Sequence, residues 1–177
     1  MQESREGKRS AMAGSKYPAY YARMRTSLAL IALVSASAFA DTPQQHVHDM
    51  SHDVMPFDMS KTLHVFIMND QGGIQKVVVR ENAGPEQINL IRRHLKHEAE
   101  EFAKGDFADP GHLHGSSMPG LAEVNASATS GKMQITYSPM PGGAQITFQA
   151  TDLHTITAIH RWFGAQLSEH GADAKAE

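Results

Sequence analysis

The sequence contains no cysteine. This absence excludes disulfide bonds, thiolate nucleophiles, c-type haem attachment and cysteine-based zinc sites. The Gly-x-Ser-x-Gly, Gly-x-x-x-x-Gly-Lys and His-Glu-x-x-His motifs of common hydrolases, nucleotide-binding proteins and metalloproteases are also missing. We therefore predict that the protein is not an enzyme. The alternative we retain is a metal-dependent hydrolase, because histidine and aspartate alone support hydrolysis at a bound metal.

No apolar run reaches the roughly 18 to 20 residues that span a bilayer, so we expect no membrane span. The apolar run at 28–34 follows a short basic segment that opens at Met24, and the small-x-small pattern Ala-Phe-Ala ends at Ala40. This order is typical of a secretory signal peptide. We predict that residues 1–40 are an N-terminal extension and signal peptide, with its core at 24–40 and cleavage after Ala40. Export implies a periplasmic or secreted protein.

The chain that follows residue 40 has few basic residues, ten against seventeen acidic ones. Such a surface excludes nucleic acid as a partner and attracts cations. All eleven histidines and seven of the ten methionines also lie after residue 45. Imidazole and thioether groups in an exported, thiol-free chain favour copper. Zinc and haem rank behind it.

The composition divides this part of the chain into segments. Residues 41–60 are polar, rich in histidine and methionine, and without a sustained period, so we predict a flexible arm. A single α+β domain is expected at 61–170, followed by a tail at 171–177. Within the domain, residues 104–130 are rich in glycine and proline and predict a long loop. Its apolar residues favour a loop that packs down, followed by a short helical turn through Leu121 to Val124.

Two similar stretches flank that loop. Apolar, β-branched runs surround the glycine pair at 72–73 and again the pair at 142–143, which predicts two hairpins. Each is followed by a helical pattern, one that begins at Pro85 and one that Asp152 caps. The sequence therefore predicts a duplicated ββα-ββα unit, folded as a four-stranded antiparallel sheet with two helices on one face.

The arm is the first candidate metal site. Imidazole suits Cu(II), thioether suits Cu(I), and a pliable segment can rearrange its ligands as the oxidation state changes. The alternative is a solvated tail that is merely rich in histidine. The predicted ligands of the arm are His46, His48, Met50, His52, Met55 and Met59.

The predicted loop holds the second candidate site. His112 and His114 lie two residues apart, so an extended backbone points both rings to the same side, and Met118 follows. The alternative places one ring against a loop carbonyl and the other in water.

The predicted helices hold two further candidates. His94 and His97 lie on a stripe with Glu98 and Glu101, and surface ion pairing is the alternative to a metal site there. His160 faces the core side of the second helix, where a buried ring needs a partner. That partner is either a metal ion or a backbone carbonyl or carboxylate.

Five segments of the chain carry a resemblance. They are Met-Pro-Phe-Asp-Met-Ser-Lys-Thr at 55–62, Gly-Gly-Ile-Gln-Lys-Val at 72–77, Gly-Asp-Phe-Ala-Asp-Pro at 105–110, His-Gly with Met-Pro-Gly-Leu at 114–121, and Ile-His-Arg-Trp-Phe at 159–163. Together they resemble an uncharacterised family of small exported bacterial proteins, some labelled aspartate carbamoyltransferase. The resemblance implies export and a shared fold. It does not imply that activity, since a carbamoyltransferase needs a Ser-Thr-Arg-Thr-type phosphate loop and two α/β domains.

These observations lead to a periplasmic metal-binding protein that sequesters or delivers copper. Its predicted partners are metal ions and a periplasmic copper-handling protein. The alternative is a non-enzymatic ligand-binding or protein-interaction module with structural or pH-responsive histidines. The oligomeric state stays open, and a dimer that swaps the two repeats is one arrangement.

Overall fold

The structure, a computed structural model, describes residues 42–81 and 83–177. The predicted signal peptide lies outside the described residues. Five helices and five strands are present in this part of the chain, together with short 3-10 turns at Met59–Lys61 and Gly171–Asp173. In chain order they are α1 (Pro43–Val54), β1 (Thr62–Asn69), β2 (Gly72–Val79), α2 (Pro85–Phe102), α3 (Ala108–His114), α4 (Leu121–Thr129), β3 (Met133–Met140), β4 (Gly143–Ala150), α5 (Leu153–His170) and β5 (Ala174–Ala176).

The strands form one mixed sheet in the order β3-β4-β2-β1-β5. Its first four strands are antiparallel, with the two predicted hairpins joined through β2 and β4. The α+β class is therefore confirmed, but the prediction of four antiparallel strands is incomplete. The predicted tail supplies β5, which pairs parallel with β1. Free backbone groups at the edge of β1 explain this pairing, since the amide of Glu177 donates to the carbonyl of Phe66 at 3.1 Å.

The hairpins and the last helix form for local reasons. Gly142, in the turn between β3 and β4, has a φ of 76°, a conformation that residues with a Cβ atom rarely adopt. The side chain of Asp152 caps α5 by accepting a hydrogen bond from the amide of Thr155 at 2.9 Å. These are the turn and cap signals that the sequence displays.

The core lies on one face of the sheet. The strand register places Phe66, Gln75 and Ile146 side by side, so their side chains share that face. Helices α2 and α5 both cover it, as the two predicted helices were expected to do. Their buried contributions are Ile91, Leu95, Phe102, Ile159, Trp162 and Phe163. No helix of the described residues is long and apolar enough to cross a bilayer.

The segment predicted as a flexible arm is mostly helical. Thr42 caps α1 by accepting a hydrogen bond from the amide of Gln45 at 3.2 Å. The helix buries Val47 and contacts α3 and α5. Phe57 and Met59, which follow it, lie in the core. Because α1 buries little more than one apolar side chain, tertiary contacts hold it and no period in the sequence reveals it.

The predicted loop at 104–130 differs in part from expectation. It contains α3, which was not predicted, and the helical turn predicted at Leu121 to Val124 is the start of α4, which continues to Thr129. The side chain of Asp106 accepts a hydrogen bond from the amide of Ala108 at 3.0 Å, where α3 begins. Pro110 lies in the first turn of α3, where a missing N–H costs no helical hydrogen bond. Glycine and proline therefore occur within and next to short helices in this segment, although the composition predicted a loop.

Candidate functional site

A small buried cavity lies between the core face of the sheet and the helices. Its volume is about 40 Å³, which is room for a single ion or a water molecule. Four histidines line it, each from a different element. They are His64 of β1, His94 of α2, His114 of α3 and His170 of α5.

Three of these rings are in contact with one another. The rings of His64 and His170 stack with their centroids 4.7 Å apart and an angle of 22° between their planes. The ring of His114 meets that of His170 edge-on at 4.9 Å. All three side chains are buried, although His64 and His170 are far apart in sequence. A cluster of imidazoles in the interior is unusual, because each ring carries two nitrogen atoms that need partners.

A carboxylate orients one of the rings. The Nδ1 atom of His114 lies 2.8 Å from Oε2 of Glu169, so Nδ1–H donates to that carboxylate. The other nitrogen, Nε2, then carries a lone pair, and no group of the described residues bonds it. Carboxylates orient metal-binding histidines in this way and make them more basic.

The cavity also concentrates polar atoms that lack hydrogen bonds. Within the described part of the chain, six buried side-chain nitrogen or oxygen atoms have no partner, and all six belong to residues that line this cavity. Leaving such an atom unpartnered costs about 1–3 kcal/mol, and folded proteins contain few of them. The atoms are His64 Nδ1, Gln75 Oε1, His114 Nε2, Trp162 Nε1, Gln166 Nε2 and His170 Nδ1.

Burial keeps the histidines neutral. It lowers the pKa of His64 from 6.5 to about 3, and the charges of His94, His114 and Arg80 act in the same direction. It lowers the pKa of His94 to about 4. The pKa values of His114 and His170 are also lowered, mainly by burial. Neutral imidazole is the form that binds metal ions, so no proton has to leave these four rings on binding.

The donor atoms are close but not preset for coordination. In residues 42–81 and 83–177, no group of three or more His, Asp or Glu side chains is already arranged to hold a metal ion. The stacked arrangement of His64 and His170 is not the arrangement of two ligands of one ion. Side-chain rotation between staggered rotamers is the movement that would bring the nitrogens together.

The structure brings three of the predicted ligands to the cavity. His94 and His114 were predicted from different parts of the domain, and Met55 was predicted as a ligand of the arm. Since Met55 follows α1 directly, the predicted arm and the predicted domain site meet at one place.

Three other predicted ligands are engaged elsewhere in the interior. The Nε2 atom of His160 lies 2.8 Å from the carbonyl oxygen of Gly72 and 3.0 Å from that of Asn69. The partners of this ring are therefore backbone carbonyls, which was the alternative to a metal ion. These contacts connect α5 to the first hairpin. Met59 and Met118 are buried in the hydrophobic core.

The remaining predicted ligands lie outside the cavity. His46 and His52 are exposed on α1, Met50 is half-buried, and His48 lies 3.9 Å from Asp173. None of these four side chains lines the cavity, and His97 and His112 do not line it either. His97 lies 3.9 Å from Glu101, as the ion-pair alternative predicted, and His112 lies 3.7 Å from Asp53.

Sequence reasoning missed His64 and His170. Both had a usable signal, since His64 alternates with Thr62 and Phe66 along the buried face of β1. His170 lies seven residues after Phe163, at the spacing that continues the buried stripe of α5. A search for histidines on apolar faces would have found both.

Comparison with known proteins does not add to this picture. No protein family, curated protein or solved structure matches the chain. The functional argument therefore depends on the cavity itself.

Proposed function

We propose that this protein is an exported copper-binding protein whose ion is held by His64, His114 and His170. The observation that carries the proposal is the set of three unpartnered imidazole nitrogens around one ion-sized cavity. A metal ion would accept all three lone pairs and remove the cost of leaving them unpaired. The carboxylate of Glu169 would orient the ligand His114 by accepting the hydrogen bond from its Nδ1.

The donor chemistry favours copper. Among divalent first-row metals, nitrogen sites bind Cu(II) most tightly, and the thioether of Met55 at the cavity wall suits Cu(I). An organic ligand is disfavoured, because pockets for such ligands have volumes of about 300–1,000 Å³. Zinc is the competing ion, since it also accepts three imidazoles.

Metal retention tests this proposal. The protein is equilibrated with Cu(I), Cu(II) or Zn(II), desalted, and analysed for bound metal. We expect one copper ion per chain. The triple variant His64→Gln/His114→Gln/His170→Gln should lose it, while circular dichroism reports whether the variant folds.

A matched variant separates the cavity from the surface. His46→Gln/His48→Gln/His52→Gln removes the same number of imidazoles from α1, and we expect it to retain the ion. Loss of copper in this variant alone would show that the ion binds at α1 and not in the cavity. Absence of copper at micromolar affinity in the unmodified protein would refute the proposal altogether.

A second candidate function is a pH-responsive module. It is favoured by the lowered pKa values of four histidines that meet at one place. Protonation of these rings in acid would place like charges within the core and open it. A protein that retains no metal but unfolds near pH 5 would support this function.

Export is part of the proposal and has its own test. The predicted signal peptide supports secretion to the periplasm. Expression of the full chain followed by periplasmic extraction should yield a protein whose mass corresponds to a start at Asp41. A cytoplasmic protein of full mass would contradict export.

We also propose that the fold arose from a duplicated ββα unit. The units β1-β2-α2 and β3-β4-α5 have the same order, and the second strand of each lies inside the first in the sheet. The two central strands thus pair around an approximate two-fold axis, as a duplication would produce.

A further inference from the structure

A second space adjoins the histidine cavity from the outside. It is a surface cleft of about 270 Å³ between α2 and the start of α3. Glu98, Phe102 and Asp109 line both the cleft and the cavity. The cleft therefore leads from solvent to these three side chains, and the histidines lie on their other side.

The cleft is acidic. Four carboxyl groups line it, and they lie close enough for Asp109, Asp106 and Glu101 to raise the pKa of Glu98. Lys104 binds the outer member, Glu101, at 2.8 Å. A concave surface lined with carboxylates concentrates cations and raises their association rates. The four groups are Glu98, Glu101, Asp106 and Asp109.

The inner two carboxyl groups lie where the cleft and the cavity share a wall. Glu98 is 7% exposed, and Asp109 is half-buried. Burial, followed by the nearby carboxyl group of Asp109, raises the pKa of Glu98 to about 8. Glu98 is therefore largely protonated at neutral pH, at the point where the cleft and the cavity share a wall.

We infer that Glu98 and Asp109 form the entrance through which a metal cation reaches the histidine cavity. Their oxygens would replace part of the hydration shell of the cation before the imidazoles bind it, since carboxylate oxygen and water are ligands of the same hard class. This inference rests on the proposed function, because it needs an ion in the cavity. It adds a role for two residues that are not themselves ligands in that proposal.

The rate of metal uptake tests the entrance. Trp162 is the single tryptophan of the chain and lines the cavity, so bound Cu(II) should quench its fluorescence. Stopped-flow mixing with Cu(II) gives the association rate, and a competing chelator gives the dissociation rate. For Glu98→Gln/Asp109→Asn we expect both rates to fall by about tenfold or more, with the affinity unchanged.

The control removes one negative charge from the exposed side of α2, because Glu98 is protonated at neutral pH and its replacement removes no charge. Glu86→Gln should take up Cu(II) at the unmodified rate. If the double variant at 98 and 109 does not fold, Asp109→Asn alone carries the test, because that side chain is only half-buried.

The outcomes separate the two proposals. Equal association rates in all three proteins would overturn the entrance while leaving copper binding intact. Slower association together with faster dissociation would also overturn it, because the carboxylates would then hold the bound ion as ligands. If the unmodified protein shows no quenching and retains no copper, the entrance falls together with the proposed function.

Discussion

Replacement of His64 by leucine should make the metal-free protein less sensitive to acid. The ring is buried, and its pKa is about 3 in the folded state against 6.5 as the ordinary value. As pH falls below 6.5, His64 is therefore protonated in the unfolded chain but stays neutral in the folded protein. Stability conferred by a neutral His64 is lost as pH falls from 6.5 toward 3.

The magnitude follows from the size of that pKa difference. One pKa unit corresponds to about 1.4 kcal/mol, so His64 alone accounts for a loss of about 2 kcal/mol between pH 7 and pH 5. His94 acts in the same direction. Glu98 acts in the opposite direction, because its raised pKa adds stability as pH falls from 8 toward 4.5. The net effect in the unmodified protein is therefore smaller than the histidine contributions taken together.

The variant isolates the contribution of His64. Urea unfolding with chelator present, at pH 7 and at pH 5, gives the free energy of unfolding for both proteins. We expect the loss on acidification to be about 2 kcal/mol smaller in His64→Leu. His97→Leu is the control, because that side chain is exposed and should leave the loss unchanged. The same loss in His64→Leu as in the unmodified protein would refute a neutral, buried His64.

Three further substitutions test other parts of the structure. Phe148→Ala should lower the free energy of unfolding by about 3–5 kcal/mol in denaturant titrations, because the ring is fully buried in the core. Asp152→Ala should cost about 1 kcal/mol by the same assay, because it removes the cap on the amide of Thr155, whereas Asp152→Ser should retain most of the stability. Glu169→Gln should weaken copper binding about 10- to 100-fold in a chelator competition, because His114 loses its charged partner. An unchanged value in any of the three would contradict the corresponding contact.

The regular part of the fold was predictable because its signals are local. Alternating β-branched runs, glycine-containing turns and the cap at Asp152 are each encoded within a few residues. Helices α1 and α3 were not predictable in this way. Each buries only two side chains, so contacts with distant elements decide whether it forms. The first turn of α4 was predicted, but its continuation to Thr129 was not.

The candidate site was predictable only in part. Met55, His94 and His114 were chosen for their chemistry, and the fold places them at the cavity. His64 and His170 were passed over, because their spacing places them on the buried faces of β1 and α5 and resembles that of ordinary core residues. His160 shows the reverse case, since its ring is held by backbone carbonyls.

By itself the sequence determined the α+β class, two hairpins each followed by a helix, and a thiol-free chain rich in imidazole. Only the tertiary structure decided which imidazoles meet. His64, His114 and His170 come from a strand and two helices that are distant along the chain. Their convergence, and the pairing of β5 with β1, depend on packing and on free strand edges, which leave no local pattern in the sequence.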